Sequence, residues 1–354
     1  MHLPALLRVC MASTLLTVAF ASSGDRSGDF ITCVSTCAQS TPLAGMSLAM
    51  RLTRWTHTDD CKYQCMHFIT DQAIKYGRSI QQYHGKWPFW RFVGMQEPAS
   101  VAFSLLNLLA HARGARDLQA RIPDGHPMKK YYLAFAFVSI NAWIWSSVFH
   151  TRGWQSASAQ KLTSLITPPL DLPVTEKLDY FSAALAIIYA LYYTVVRLFH
   201  IYSPERGRLT QRSSALSGVY LTWTCLCATT YLAHVTYLTI LPRFDYTYNM
   251  AFNLVIGLAH NILWLAYSLP SSLPILRRFP SRPKTYRPQY AVKPAIFAAL
   301  TTLATALELF DFPPWGRIID AHSLWHLATA PIAVFWYDFL IQDALDEGWR
   351  DIKS

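Results

Sequence analysis

Charge is what this sequence most conspicuously has little of. Only 15% of its 354 residues are Asp, Glu, Lys or Arg, against roughly 25% in an ordinary soluble domain. That shortage excludes the pair of soluble domains the length would otherwise allow. No basic helix interleaved with aromatic residues is present, so the formal net charge of +10 does not point to nucleic acid. Internal repeats are also absent. What fills the chain instead is apolar: 52% hydrophobic and 14% aromatic residues, the balance of a membrane protein.

The amino terminus, "MHLPALLRVCMASTLLTVAFASS", places Arg8 before a short apolar run and ends it at Ala19-Phe20-Ala21. A basic start, a short apolar core and an A-x-A site predict a cleavable secretory signal over 1–21. The run is too short to cross a bilayer comfortably, which takes about 20 residues. Residue 22 onward is then expected in the lumen of the secretory pathway.

Cysteine usage agrees with that compartment. Cys10 lies in the signal, Cys225 and Cys227 in an apolar run, and the other four form "CVSTC" (Cys33, Cys37) and "CKYQC" (Cys61, Cys65). Two C-x-x-x-C segments on neighbouring helices can be zippered by two disulfides; Cys33–Cys65 with Cys37–Cys61 is the expected pairing, and the sequence leaves the connectivity open. A zinc site is the alternative, disfavoured by an oxidising lumen.

Apolar runs long enough to span a bilayer as helices fall near 131–150, 179–201, 215–238, 248–269, 292–310 and 321–343. A shorter run at 98–112, "PASVAFSLLNLLAHA", brings the expected number to seven. Loop charge is consistent with seven spans. With a lumenal amino terminus the cytosolic loops hold Arg113, Arg116, Arg121, Lys129 and Lys130, then Arg206, Arg208 and Arg212, then Arg277, Arg278, Arg282, Lys284 and Arg287. The lumenal loops hold Arg152, Lys161 and Lys177, then Arg243, then Arg317. Thirteen cations against five is the asymmetry of the positive-inside rule. The expected layout is a lumenal Cys-paired domain over 22–96, a seven-span all-α bundle over 97–343 and a cytosolic tail over 344–354. The Pro-rich basic loop "SSLPILRRFPSRPKTYRPQY" reads as solvated cytosolic chain, with anionic-lipid contact as the alternative.

Laid out this way, polar residues from three spans reach one membrane level on the lumenal side. The second span ends "NAWIWSSVFH" with Ser146 and His150, the third begins "EKLDYFSA" with Asp179, and the seventh begins "DAHSLWH" with His322 and His326. The i, i+4 spacing puts the last two imidazoles on one helix face. Ionisable groups inside membranes are costly and mark functional sites. Three neutral imidazoles with an open fourth position form the zinc arrangement that brings the pKa of water from near 16 down to about 7. An aspartate beside it can move protons, and Ser146 can hydrogen-bond a developing oxyanion. A lumen-facing metal hydrolase is therefore expected, with His150, His322 and His326 as metal ligands and Ser146 and Asp179 as catalytic groups.

Each residue also has a plainer role to weigh. A histidine in an apolar helix is often a hydrogen-bonded core residue, and a serine there often bonds back to its own helix, with Ser147 as a rival to Ser146. Asp320 either orients a ligand histidine or caps a helix. His111, His200, His234 and His260 read as structural. A metal-transporting or metal-sensing membrane protein is the non-enzymatic alternative, but the matching spans show no comparable run of polar residues toward the cytosolic face.

The strings "QYHGKWPFWRFVGMQEPASVAFSLLN", "SSVFHTR", "EKLDYFSA" and "DFPPWGRIIDAHSLWHLATAP", together with the two cysteine pairs, resemble the post-GPI-attachment lipid-remodelling factors, the Per-one-like proteins. The resemblance covers nearly all of the chain after its signal. That family is grouped with seven-span hydrolases that include alkaline ceramidases and share a serine, an aspartate and three histidines. Those map here onto Ser146, Asp179, His150, His322 and His326. The resemblance implies phospholipase A2-type removal of the sn-2 acyl chain from the glycosylphosphatidylinositol (GPI) anchor of proteins, in the endoplasmic reticulum or Golgi membrane. A ceramidase-like amide hydrolysis would use the same site. The loop over 151–178 is longer than the family pattern leads one to expect, and its Asp171 competes with Asp179 for the acid–base role.

Overall fold

The computed structural model describes residues 22–40, 47–53, 55–152, 172–202, 211–241 and 244–349. The expected signal segment 1–21, Asp171 and residues 350–354 lie outside them. Among the described residues there are α- and 3-10 helices but no strand; two isolated bridges, Tyr83 with Lys86 and Phe92 with Met95, close tight turns. The chain forms two compact units, one made of 22–96 with Pro313–Ile318, the other of the remaining helices.

The first unit is built on α1 (Gly28–Ser40), α2 (Leu48–Leu52) and α3 (His57–Lys75). Disulfides join Cys33 to Cys65 and Cys37 to Cys61, with Cα atoms 5.8 and 5.7 Å apart. The pairing follows from register: each helix offers two cysteines one turn apart on one face. Phe30, Trp55, Met66 and Tyr83 pack around them. Thr56 starts α3 with a capping box, its hydroxyl accepting from the Asp59 amide while the Asp59 carboxylate takes the Thr56 amide.

His67 is the polar centre of this unit. Its ring stacks on Trp90 at 4.0 Å. Its Nε2 lies 3.0 Å from the Phe89 carbonyl, and its Nδ1 receives Arg317 at 2.8 Å. Arg317 is otherwise held by Asp71 at 2.5 Å and by its own carbonyl, which accepts from the Trp90 amide. A carbonyl on one side and a guanidinium donor on the other define the neutral Nε2–H tautomer. Burial, with the nearby Arg317 charge, pushes the His67 pKa down to about 4. The unfolded chain binds this proton near pH 6.5, so the folded state loses stability as pH falls from 6.5 toward 4. His67→Gln keeps an acceptor and a donor without the titration. Its thermal midpoint is expected to fall less than wild type between pH 7 and 5, as scanning fluorimetry would show. Parallel pH curves would contradict this.

The second unit consists of α4 (Pro98–Arg121), α5 (Lys129–Thr151), α6 (Leu172–Leu198), α7 (Gln211–Ile240), α8 (Tyr246–Ser268), α9 (Lys293–Leu309) and α10 (Ala321–Ala344). Five of these, α5, α6, α8, α9 (with the short 3-10 turn before it) and α10, are long and apolar enough to cross a membrane. The 24-residue α4 and 30-residue α7 have the length as well. The two largest departures from the expected span boundaries are in α4 and α6. α4 does not stop near Ala112 but continues to Arg121, turning Arg113, Arg116 and Arg121 from loop into helix. Arg113 and Asp117 pair at i, i+4, and Leu118 is fully buried. α6 begins at Leu172, so Asp179 stands inside the helix rather than at its start.

Tight packing aligns the helices. α10 packs on α4 and α9, and α5 packs on α4 and α6. Gly114 on α4 lets the Tyr337 ring of α10 approach so closely that a Cβ would overlap it. At the far end of the unit from the three histidines, Asp343 accepts two bonds from Arg197, 2.7 and 2.8 Å long, and others from Tyr132 and Tyr267. Both members of this ion pair are fully buried. The third guanidinium nitrogen bonds the Arg278 carbonyl. Helices α5, α6, α8 and α10 are thereby clasped together.

Candidate metal centre

The sequence around the carboxyl-terminal histidines first builds a helix start. Asp320 is the N-cap of α10, accepting from the Ser323 amide at 2.8 Å, while the Ser323 hydroxyl faces the Asp320 amide at 3.0 Å. That reciprocal cap fixes the first turn. It also assigns Asp320 to capping. His322 and His326 then emerge one turn apart on one face, and α5 brings His150 to meet them.

The three Nε2 atoms converge: His322 lies 3.2 Å from His150 and 2.9 Å from His326. One ligand atom from each residue falls within 4.8 Å of the others, and this is the group of potential ligands found among the described residues. His150 and His326 are buried, and His322 is partly so. The outward nitrogens have their own partners. His150 Nδ1 is 2.7 Å from Glu97, His322 Nδ1 is 2.7 Å from Glu308, and His326 Nδ1 is 2.8 Å from the Ser104 hydroxyl. Ionised carboxylates only accept, so they call for a proton on Nδ1 and leave a lone pair on Nε2.

Lone pairs facing one another at about 3 Å repel unless a cation sits among them. Nitrogen ligands at about 2.0–2.1 Å around tetrahedral zinc stand about 3.3 Å apart, close to the spacings seen. Imidazoles whose second nitrogen is held by a carboxylate are the usual outer arrangement of zinc sites. The donor set thus fits a divalent metal such as zinc. Trp143 and Trp325 wall it, their rings 5.2 and 5.1 Å from that of His326.

The remaining expected residues fall as follows. Ser146 is buried and its hydroxyl lies 3.0 Å from that of Ser104, joining it by one step to His326. Its rival Ser147 bonds back to the Trp143 carbonyl. Asp179 is half-buried in α6; Tyr180, beside it, lies within electrostatic reach of Asp179, Glu176 and Glu308. The other histidines have separate surroundings: His111 bonds the Tyr337 hydroxyl, His200 meets Tyr202 and the Arg277 carbonyl, His234 stacks on Phe252, and His260 faces Asn261.

Glu97, Glu308 and Ser104 were not legible as site residues. The one available signal was an acidic residue, Glu97 or Glu308, near a helix end at the depth of the histidines.

Fold and site together define a polytopic α-helical membrane protein with a buried three-histidine group suited to a metal. The sequence model of the Per1-like family matches residues 47–344, and the chain belongs to that family. "Protein PER1 homolog" of Schizosaccharomyces pombe is 35% identical over 352 residues, covering 97% of this chain and 94% of the relative. "GPI-specific phospholipase A2-like PGAP3" of Xenopus laevis is 36% identical over 339 residues, 94% of this chain and 93% of the relative. Its Homo sapiens namesake is 34% identical over 346 residues, 96% and 94% of the two chains. No solved structure matches the chain.

Proposed function

We infer that this protein remodels GPI anchors by hydrolysing the sn-2 acyl ester of their phosphatidylinositol, with GPI-anchored proteins as lipid substrates. The observation that carries this reading is the convergence of His150, His322 and His326 in a chain whose relatives are named GPI-specific phospholipase A2-like. Seven spans, a cleaved signal over 1–21, a lumenal disulfide-bonded domain, a cytosolic tail and residence in the endoplasmic reticulum or Golgi belong to the same proposal.

Zinc held by the three imidazoles would supply Lewis acidity and a water acidified to about pKa 7. The protein's own groups do the rest. Glu97, Glu308 and Ser104 keep the imidazole nitrogens aimed inward. Trp143 and Trp325 limit solvent, which strengthens every charge interaction inside. Asp179 takes the proton of the attacking water and returns it to the departing sn-2 oxygen, giving a free fatty acid and a lyso-GPI. Ser146, backed by Ser104, donates to the carbonyl oxygen as negative charge develops on it.

The test is product analysis. Purified protein incubated with a GPI-anchored substrate carrying distinguishable sn-1 and sn-2 chains is expected to release the sn-2 acid alone. Ceramide in the same detergent is expected to stay intact. Release from sn-1, or cleavage of ceramide in place of the GPI lipid, would overturn this assignment.

A further inference from the structure

Two of the three histidines are backed by acidic residues on other helices. Glu97 begins α4 and meets His150 of α5 twice: its carboxylate faces Nδ1 at 2.7 Å, and its amide donates to the His150 carbonyl at 3.2 Å. Glu308, the penultimate residue of α9, faces His322 Nδ1 at 2.7 Å. The third histidine is backed instead by the Ser104 hydroxyl, which brings no charge.

We propose that Glu97 and Glu308 are positioning residues that fix His150 and His322 as inward-facing ligands and balance the charge of a divalent cation held there. The proposal rests on the metal-site reading above and assigns what sets its affinity. Three neutral imidazoles carry no charge, and the two carboxylates carry two negatives. A dication makes the assembly neutral, whereas uncompensated charge away from water is expensive. Two imidazolium ions are not an equivalent solution, because the Nε2–H groups of His150 and His322 would then point at each other across 3.2 Å.

Exposure ranks the pair. The Glu97 and His150 side chains are 6% and 4% exposed, against 33% and 32% for Glu308 and His322. Coulomb interaction with the metal is less screened at Glu97, so Glu97 contributes more.

The experiment uses full-length protein in detergent, stripped and reloaded with zinc. Metal-to-protein ratio and competition with a chromogenic chelator are measured for wild type, Glu97→Gln, Glu308→Gln and Ser104→Ala. Wild type is expected to hold one zinc per chain. Glu97→Gln is expected to bind it at the upper end of about 10–100-fold more weakly, and Glu308→Gln toward the lower end. Ser104→Ala, which removes the hydroxyl against His326 but no charge, is expected to weaken binding less than Glu97→Gln. Wild-type affinity in both glutamine variants would overturn the positioning role while leaving the metal site intact. A wild type that takes up no zinc would overturn the metal-site reading itself. Should Glu97→Gln fail to fold, the partly exposed Glu308→Gln decides alone, and wild-type affinity there overturns the pair.

Discussion

Replacing Arg197 with methionine is expected to lower the thermal midpoint of the purified protein by roughly 5–10 °C. The single substitution leaves Asp343, fully buried, without its bidentate partner, and breaking a buried pair costs about 3–5 kcal/mol. Tyr132 and Tyr267 still donate to the carboxylate, which keeps the loss from being larger. Arg197→Met combined with Asp343→Leu removes both charges and is expected to recover most of the midpoint, since a buried ion pair seldom outperforms apolar packing of similar volume. Scanning fluorimetry on both variants checks this. A double variant no better than the single would show that the clasp is needed for its geometry and not merely for charge compensation.

His326→Ala is expected to abolish stoichiometric zinc binding and to reduce acyl release about a thousandfold or more, the equivalent of the several kcal/mol that a metal contributes to such a step. The residue is 1% exposed and both ring nitrogens are engaged, one toward His322 and one toward Ser104. His111→Phe provides the comparison. It removes another buried histidine and its bond to Tyr337, so it should cost stability while leaving metal content and the rate per folded molecule unchanged. Equal loss of metal in both variants would mean that general destabilisation, not ligand removal, explains the first.

How far the sequence led differs between its parts. The apolar runs placed α5, α8, α9 and α10 within two residues of their observed ends, because an uninterrupted run of that length has few other places to go. The cysteine pairs were legible as a candidate zipper, each holding its cysteines one helical turn apart, but which cysteine meets which depends on the direction in which α1 and α3 cross. His322 and His326 share a helix and a face; His150 joined them through the depth at which its span ends. Partners from different helices at unrelated spacings were beyond such reading. Nothing local links Glu97 to His150, 53 residues away, or Arg197 to Asp343, 146 residues away. Charged residues at span ends look alike in sequence whether they face lipid headgroups, water or each other. The carboxyl-terminal half of α4 was hidden for a related reason: its arginines satisfy a loop pattern, while Leu118 and the gap at Gly114 that admits Tyr337 are visible only once α4 and α10 are packed.

The central claim is that His150, His322 and His326 hold a metal on which hydrolysis of the GPI lipid depends. Its most direct measurement is fatty acid release from a GPI-anchored substrate by purified protein in three states: as isolated, stripped by chelator, and restored with zinc. Loss of release on stripping, recovery with one equivalent of zinc per chain, and no recovery in His326→Ala are the expected results. Stripped protein that keeps its full rate would contradict the claim and leave the three histidines a structural role.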